Sequence, residues 1–176
     1  MADGWRILPL AALAAVPAVY AAEYMSVEAA QRAAYPAATA FLPIPIALDA
    51  AARARLAAIA NPPGARDPRA WRAMADGKVL GTFFADAVIG KQEYIGYALA
   101  LDPVGRVLRV DVLDYRETHG WEIRGERWRA QFTGKSAADP VALNNDIANI
   151  SGATLSCRHV TDGVRRLLAL HALLPA

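Results

Sequence analysis

The sequence predicts an α+β domain, an antiparallel β-sheet flanked by helices, and three observations predict it. Alanine-rich stretches with helix-forming composition occupy the first part of the chain. Between residues 79 and 112, apolar side chains alternate with small or polar ones in strand fashion. A long amphipathic stripe then closes the chain. At 176 residues the chain suits one domain, since domains average about 100–200 residues.

Residues 1–22 read as an export signal. Arg6 gives a positive start, residues 7–22 form an unbroken apolar run, and Val19-Tyr20-Ala21 puts small residues where a signal peptidase acts. That run is 16 residues, short of the roughly 20 that a bilayer-spanning helix needs. Pro9 and Pro17 weaken a spanning helix further. An uncleaved N-terminal anchor is the alternative, and both readings put the remainder outside the cytoplasm, in the periplasm or associated with the membrane.

Residues 23–176 then form a single domain, with a helical part over 23–77 and the sheet over 78–176. Ser26 is a candidate cap for a helix over residues 26–40, where Val27, Ala30 and Ala34 share a face. Leu42-Pro43-Ile44-Pro45 reads as a break. A second helix is expected over residues 49–60 with Asp49 as its cap, ended by Asn61-Pro62-Pro63-Gly64. Residues 69–75 suggest a short helical turn before Asp76-Gly77.

Residues 79–89 are β-rich. Ile95, Tyr97, Leu99 and Leu101 alternate with small residues, and Leu108, Val110 and Val112 alternate with Arg109 and Asp111. Asp102-Pro103-Val104-Gly105 between them has the residues of a type I turn, so a hairpin is expected. Polar connections follow over residues 115–127 and 134–145, with a short helical turn over 128–132. A final helix over residues 153–174 carries Val160, Val164, Leu167, Leu168 and Leu174 on one face, with Arg158, Arg165 and Arg166 elsewhere.

Composition excludes several functions. The net charge is +2, and the basic residues are scattered, so the electrostatic footprint of a nucleic-acid binder is missing. Cys157 is the single cysteine, which forbids an intramolecular disulfide. His119, His159 and His171 have no metal-ligand spacing, and no metal site is expected.

The most informative residues are Ser151-Gly152-Ala153-Thr154, where the last helix starts. A helix N-terminus offers unpaired N–H groups and a positive dipole end, which favour phosphate. Gly152 lets a ligand approach the backbone, Ala153 adds no bulk, and Ser151 and Thr154 bring hydroxyls. For these four residues alone, Ser151 or Thr154 as a helix cap is the simpler account.

The surrounding residues carry the argument further. Residues 150–154 followed by Leu155-Ser156 resemble the flavinylation motif of the FMN-binding domain family, which includes subunits of sodium-pumping NADH:quinone reductase and Rnf-type complexes. Glu117-Thr118-His119-Gly120 resembles that family's Glu-Thr-Pro-Gly loop, and Trp128, Phe132, Gly134 and Lys135 resemble its Trp-x-x-x-Phe-x-Gly-Lys segment. The resemblance implies FMN joined as a phosphoester to Thr154 by a separate flavin transferase that uses FAD. Ser151, Gly152 and Ala153 would shape the phosphate end, Glu117, Thr118, His119 and Gly120 would border the ring, and Leu155 and Lys135 would complete the cofactor-binding set. This chain departs from the pattern twice. Ala148 stands where the family carries Asp, with Asp146 two positions further back, and His119 replaces the loop's Pro.

A flavin ring needs apolar or aromatic walls and a few polar partners. Tyr115, Trp121, Trp128 and Phe132 are the nearby aromatics, the last two spaced to pack inward on one helical turn. Lys135 and Arg158 are suited to neutralise phosphate or reduced flavin. No catalytic residues are assigned, because no nucleophile–base pair and no nicotinamide-binding glycine fingerprint are present. The expectation is therefore a redox carrier passing electrons between membrane or periplasmic partners. A flavin-dependent reductase of a small exported substrate, and a binding module of this fold without covalent flavin, are the alternatives.

Overall fold

The computed structural model describes residues 22–174. The expected signal segment lies outside the described residues, apart from Ala22 at its end. Within the described residues, ten elements follow in order: β1 (Ala22–Glu23), α1 (Val27–Ala34), β2 (Ala40–Ile44), α2 (Ala50–Ile59), β3 (Arg69–Ala75), β4 (Lys78–Ile89), β5 (Tyr94–Leu101), β6 (Val107–Tyr115), α3 (Glu126–Arg129) and α4 (Thr154–His171). Single 3-10 turns at Trp121–Arg124 and Ala130–Phe132 flank α3.

These six strands form one antiparallel sheet in the order β1-β6-β5-β4-β3-β2. Strands β2 to β6 run as an up-and-down meander, and β1 adds to the far edge through Ala22 opposite Tyr115. The α+β architecture read from the sequence is the one observed, with α4 along one face and α1 on the other.

The helical expectation for residues 23–77 is corrected. That part contributes β1, β2 and β3 to the sheet, and residues 69–75 are a strand rather than a helical turn. Asp76 and Gly77 both have positive φ, at 49° and 73°, so they form the two-residue hairpin turn whose twist suits β3 and β4. Pro43 lies inside β2 and not at a break. It is tolerated because β2 is the edge strand, where one row of N–H groups has no ladder partner to lose.

Other elements follow their local signals. Ser26 caps α1 by accepting from Ala29 N (3.2 Å), and Asp49 caps α2 by accepting from Ala52 N (2.7 Å). The β5–β6 turn closes with Gly105 at φ 82°, while Asp102 Oδ1 accepts from the N–H groups of Val104 and Arg106.

Alternation along the strands builds a core on each face. Phe84, Val88, Tyr97, Leu99 and Val110 meet Val160, Val164, Leu167 and Leu168 of α4. Phe83, Ala85, Ala98, Ala100 and Leu113 meet Ala30 and Tyr35 on the α1 side. Tyr35, the C-cap of α1, pins that side: its hydroxyl accepts from Leu101 N (3.1 Å) and donates to the Leu101 carbonyl (2.6 Å). Burial pushes the Tyr35 phenol well above its ordinary range. The long α4 is thereby laid across the sheet with its N-terminus beside the loops that leave β4 and β6.

Candidate functional site

Three stretches distant in sequence meet at that N-terminus. Lys91 and Gln92 from the β4–β5 connection, residues 117–122 after β6, and residues 152–156 line one cleft of about 620 Å³. That size lies within the usual range for small-molecule sites, about 300–1,000 Å³.

The start of α4 differs from the other two long helices. Its N-cap is Ala153, and no side chain caps it. Thr154 is the first helical residue, half-buried, with its hydroxyl accepting from Asn149 Nδ2 (3.0 Å). The first-turn N–H groups of α4 therefore keep their donor capacity at the cleft, where the helix dipole also favours an anion. Gly152 has φ 85°, a conformation open to glycine, and a Cβ there would meet nothing within 4 Å.

Residues 117–120 form the facing wall, and Glu117 organises it. Glu117 Oε1 accepts the backbone N–H groups of Lys91 (2.5 Å), Gln92 (2.6 Å) and Glu93 (2.9 Å). Partial burial pushes this carboxyl up, but the three N–H donors and the Lys91 charge outweigh it and leave it below its ordinary value. His159 of α4 holds the same turn from the other side, its Nδ1 lying 2.7 Å from the Ile89 carbonyl and 2.9 Å from that of Gly90. Lys91 and Gln92 are thus fixed from both flanks.

Tyr115 joins the wall to α4. Its hydroxyl donates to the His119 carbonyl (2.5 Å), so the 3.2 Å contact with Ser156 Oγ is one in which the serine donates. Burial raises the Tyr115 phenol above its usual range. Gly120, at φ 86°, then turns the chain into Trp121. Trp121 lines the cleft and is 58% exposed, with Arg124 over its ring at 5.6 Å and over that of Tyr24 at 3.9 Å. Leu155 adds an apolar side chain that is 40% exposed.

Of the residues singled out from the sequence, Thr154, Gly152, Ala153, Leu155, Glu117, Thr118, His119 and Gly120 line this cleft. Ser151 is exposed beside it and is not among the lining residues. Lys135 is placed elsewhere: Nζ pairs with Asp146 (2.8 Å), and its carbonyl accepts from Val107 N, so it ties the 134–146 connection to β6. Asp146 is engaged there too, with Oδ2 on Lys135 and Val141 N and Oδ1 on Ala142 N. Trp128 and Phe132 pack edge to face in the core at 5.2 Å, as their spacing suggests. Trp128 Nε1 donates to the Ala148 carbonyl (2.9 Å) and so anchors the segment leading to Thr154. Arg158 is exposed and lies outside the lining set.

Sequence reasoning missed Lys91, Gln92, Glu122 and Asn149. The first two reach the site through Glu117, across about 25 residues of chain, and no local pattern marks them. A second cavity, about 610 Å³, opens on the α1 side among Arg66, Arg69, Asp86, Asp114 and Arg116. Arg116 and Asp114 pair with each other there (2.8 Å), and the helix start that lines it, at Val27, is already capped by Ser26.

The residues of the first cleft fit FMN. An uncapped helix start suits its phosphate, a hydroxyl stands at that start, and an exposed indole offers a flat apolar surface. Among the described residues, no cluster of His, Cys, Asp and Glu is arranged to hold a metal ion, and no helix is long and apolar enough to cross a membrane.

Comparison with known proteins agrees. Residues 90–169 match the FMN-binding domain family, a span that contains every residue lining the cleft. The chain is also similar, at 33% identity, to one subunit of an ion-translocating oxidoreductase complex from Stutzerimonas stutzeri. The similarity covers 54% of this chain and 47% of that protein, so the match spans about half the length of the relative. The match to the FMN-binding domain family is thus carried by residues 90–169, the segment that builds the cleft.

Proposed function

We propose that this chain is an exported electron-transfer protein that carries FMN as a phosphoester on Thr154 Oγ1. The observation that carries the reading is the position of that hydroxyl. It stands at the uncapped first turn of α4, inside a cleft whose other walls are the Glu117–Gly120 loop and Trp121.

In this reading the first-turn N–H groups of α4 bind the phosphate, and Gly152 and Ala153 let it approach the backbone. Trp121 and Leu155 cover the ring system, while Glu117 holds the Lys91–Gln92 wall against it. When bound, FMN supplies one- and two-electron redox chemistry. The chain's part is to retain it and to leave one edge open to membrane or periplasmic donors and acceptors. Similarity to one component of an oxidoreductase complex supports this role. A covalent link also keeps the cofactor from being lost outside the cytoplasm, where a flavin transferase installs it.

A second reading, non-covalent FMN in the same cleft, is favoured by one observation. Ala148 leaves the modification motif without its acid, and Asp146 is committed to Lys135 and two backbone N–H groups. The test is the intact mass of protein exported from cells that also express a flavin transferase. One FMN phosphoester on the peptide containing Thr154, absent from Thr154→Ala and retained by Thr154→Ser, is the expected result. Unmodified wild-type protein that is nevertheless yellow would establish the second reading.

A further inference from the structure

Resting on the phosphoester reading, we propose that Asn149 is a positioning residue for the modification of Thr154. Its side-chain amide holds the Thr154 hydroxyl in the one orientation from which oxygen can attack phosphorus.

Asn149 Nδ2 donates to Thr154 Oγ1 at 3.0 Å. Thr is β-branched, and in a helix it divides between two χ1 rotamers, one of which back-bonds to a carbonyl of the preceding turn. The amide donor occupies one lone pair of Oγ1 and selects the rotamer that keeps the other free.

The donor itself stands on a fixed platform. The preceding residue, Ala148, is held at both backbone groups: its N–H donates to Gln131 Oε1 (2.7 Å), and its carbonyl accepts from Trp128 Nε1 (2.9 Å). On the other side, Ala153 N donates to the Ile150 carbonyl (3.0 Å) and closes the turn onto α4. The buried Trp128 thus connects the protein core to the orientation of one hydroxyl.

The chemistry of this contact matters. A neutral amide donor fixes the hydroxyl but takes no proton from it. Asp146 and Glu117, two of the acids near the site, are spent on Lys135 and on backbone N–H groups. In the modification, the Thr154 Oγ1–P bond forms and the P–O bond joining the two phosphates of flavin adenine dinucleotide breaks. AMP leaves, and the hydroxyl proton passes to a base on the transferase. No oxidation or reduction is involved. Asn149 contributes orientation to this step and the transferase contributes the base.

The experiment is a flavinylation time course read by intact mass, with purified protein, a flavin transferase and FAD. Wild type, Asn149→Ala and the similarly shaped Asn149→Leu are compared, with Thr154→Ala as blank. Loss of one orienting hydrogen bond is expected to lower kcat about tenfold in both Asn149 variants, with KM for the protein and the melting temperature retained. If Asn149→Ala proves less stable, Asn149→Leu keeps the bulk and decides. Labelling of the variants at the wild-type rate, or a change in KM alone, overturns the positioning role while leaving the phosphoester in place. An unlabelled wild type, beside a known target labelled in the same tube, removes the phosphoester reading and this inference together.

Discussion

Gly120 lies so close to Ala153 that a methyl group on it would come 3.0 Å from the Ala153 Cβ and 2.7 Å from the Tyr115 hydroxyl. This contact is the seam between the loop after β6 and the start of α4, and it sets the width of the cleft. Gly120→Ala therefore carries two costs: a positive φ of 86° and displacement of one wall. Gly152→Ala carries only the first, because its φ of 85° faces open space. Urea unfolding should show a loss of about 2–4 kcal/mol for Gly120→Ala and about 1–2 kcal/mol for Gly152→Ala. FMN affinity of the apo-protein should fall further in the first. Equal effects from the two substitutions would mean that the seam does not shape the site.

Glu117 makes the cleft sensitive to acid. Its folded carboxyl lies below the ordinary value of 4.5, so in that window the folded state binds fewer protons than the unfolded one. Stability from this group is fully present above the unfolded value and is lost as pH falls through the folded one. Asp67, Asp139 and Asp146 are also held low, so the whole-protein slope is shared. The difference between wild type and Glu117→Gln isolates the share of Glu117. That difference should be largest near neutral pH and shrink below about pH 4.5. FMN titration of Glu117→Gln should give weaker binding at neutral pH, since the Lys91–Gln92 wall loses its charged acceptor. A difference between the two proteins that does not change with pH would contradict this account.

How far the sequence revealed this site depended on whether the information was local. The helix over Thr154–His171, the hairpin around Gly105 and the capping by Ser26 and Asp49 each leave a short pattern, and each was legible. Arg69–Ala75 was not, because its Ala, Arg and Met favour helix in isolation while pairing with both β2 and β4 imposes a strand. The Asp76-Gly77 turn was the one local sign of that strand, and the alanine-rich composition around it pointed the other way. In the site, hydroxyl and glycine positions were readable as a motif. The Glu117 clamp on residues 91–93 was not, since a carboxylate that gathers backbone N–H groups from a distant turn leaves no spacing to read.

Trp128→Phe tests the route from core to site. Phenylalanine keeps the edge-to-face contact with Phe132, at 5.2 Å between ring centres, but removes the Nε1 donor to the Ala148 carbonyl. Leaving that carbonyl without its partner should cost about 1–3 kcal/mol. Amide exchange should quicken in residues 146–150 before it does in α4, and flavinylation should slow along with it. Faster exchange spread evenly through the core would assign Trp128 to packing alone.

Gly163→Ala reads the depth at which α4 sits on the sheet. Replacing glycine by alanine inside a helix ordinarily gains about 1 kcal/mol. Here the added methyl would meet the Tyr97 hydroxyl, with Tyr97 Cζ at 2.9 Å and Val88 Cγ1 at 3.3 Å. Tyr97 has no room to swing aside, because it is fully buried and its hydroxyl donates to Asp86 Oδ2 (2.8 Å). Burial pushes the Asp86 carboxyl above its ordinary value, opposed by its bonds to Tyr97 and Ala87 N, so moving the tyrosine would strip one of the contacts that keep this carboxylate charged. Overpacking should then outweigh helix propensity and leave a net loss of about 1–3 kcal/mol in urea unfolding. A helix lifted from the sheet would also carry Thr154 away from Asn149, so the flavinylation rate should fall in the same variant. An unchanged or increased stability would show that α4 has slack against the sheet, and the close spacing of helix and strand could not then be what holds the cleft open.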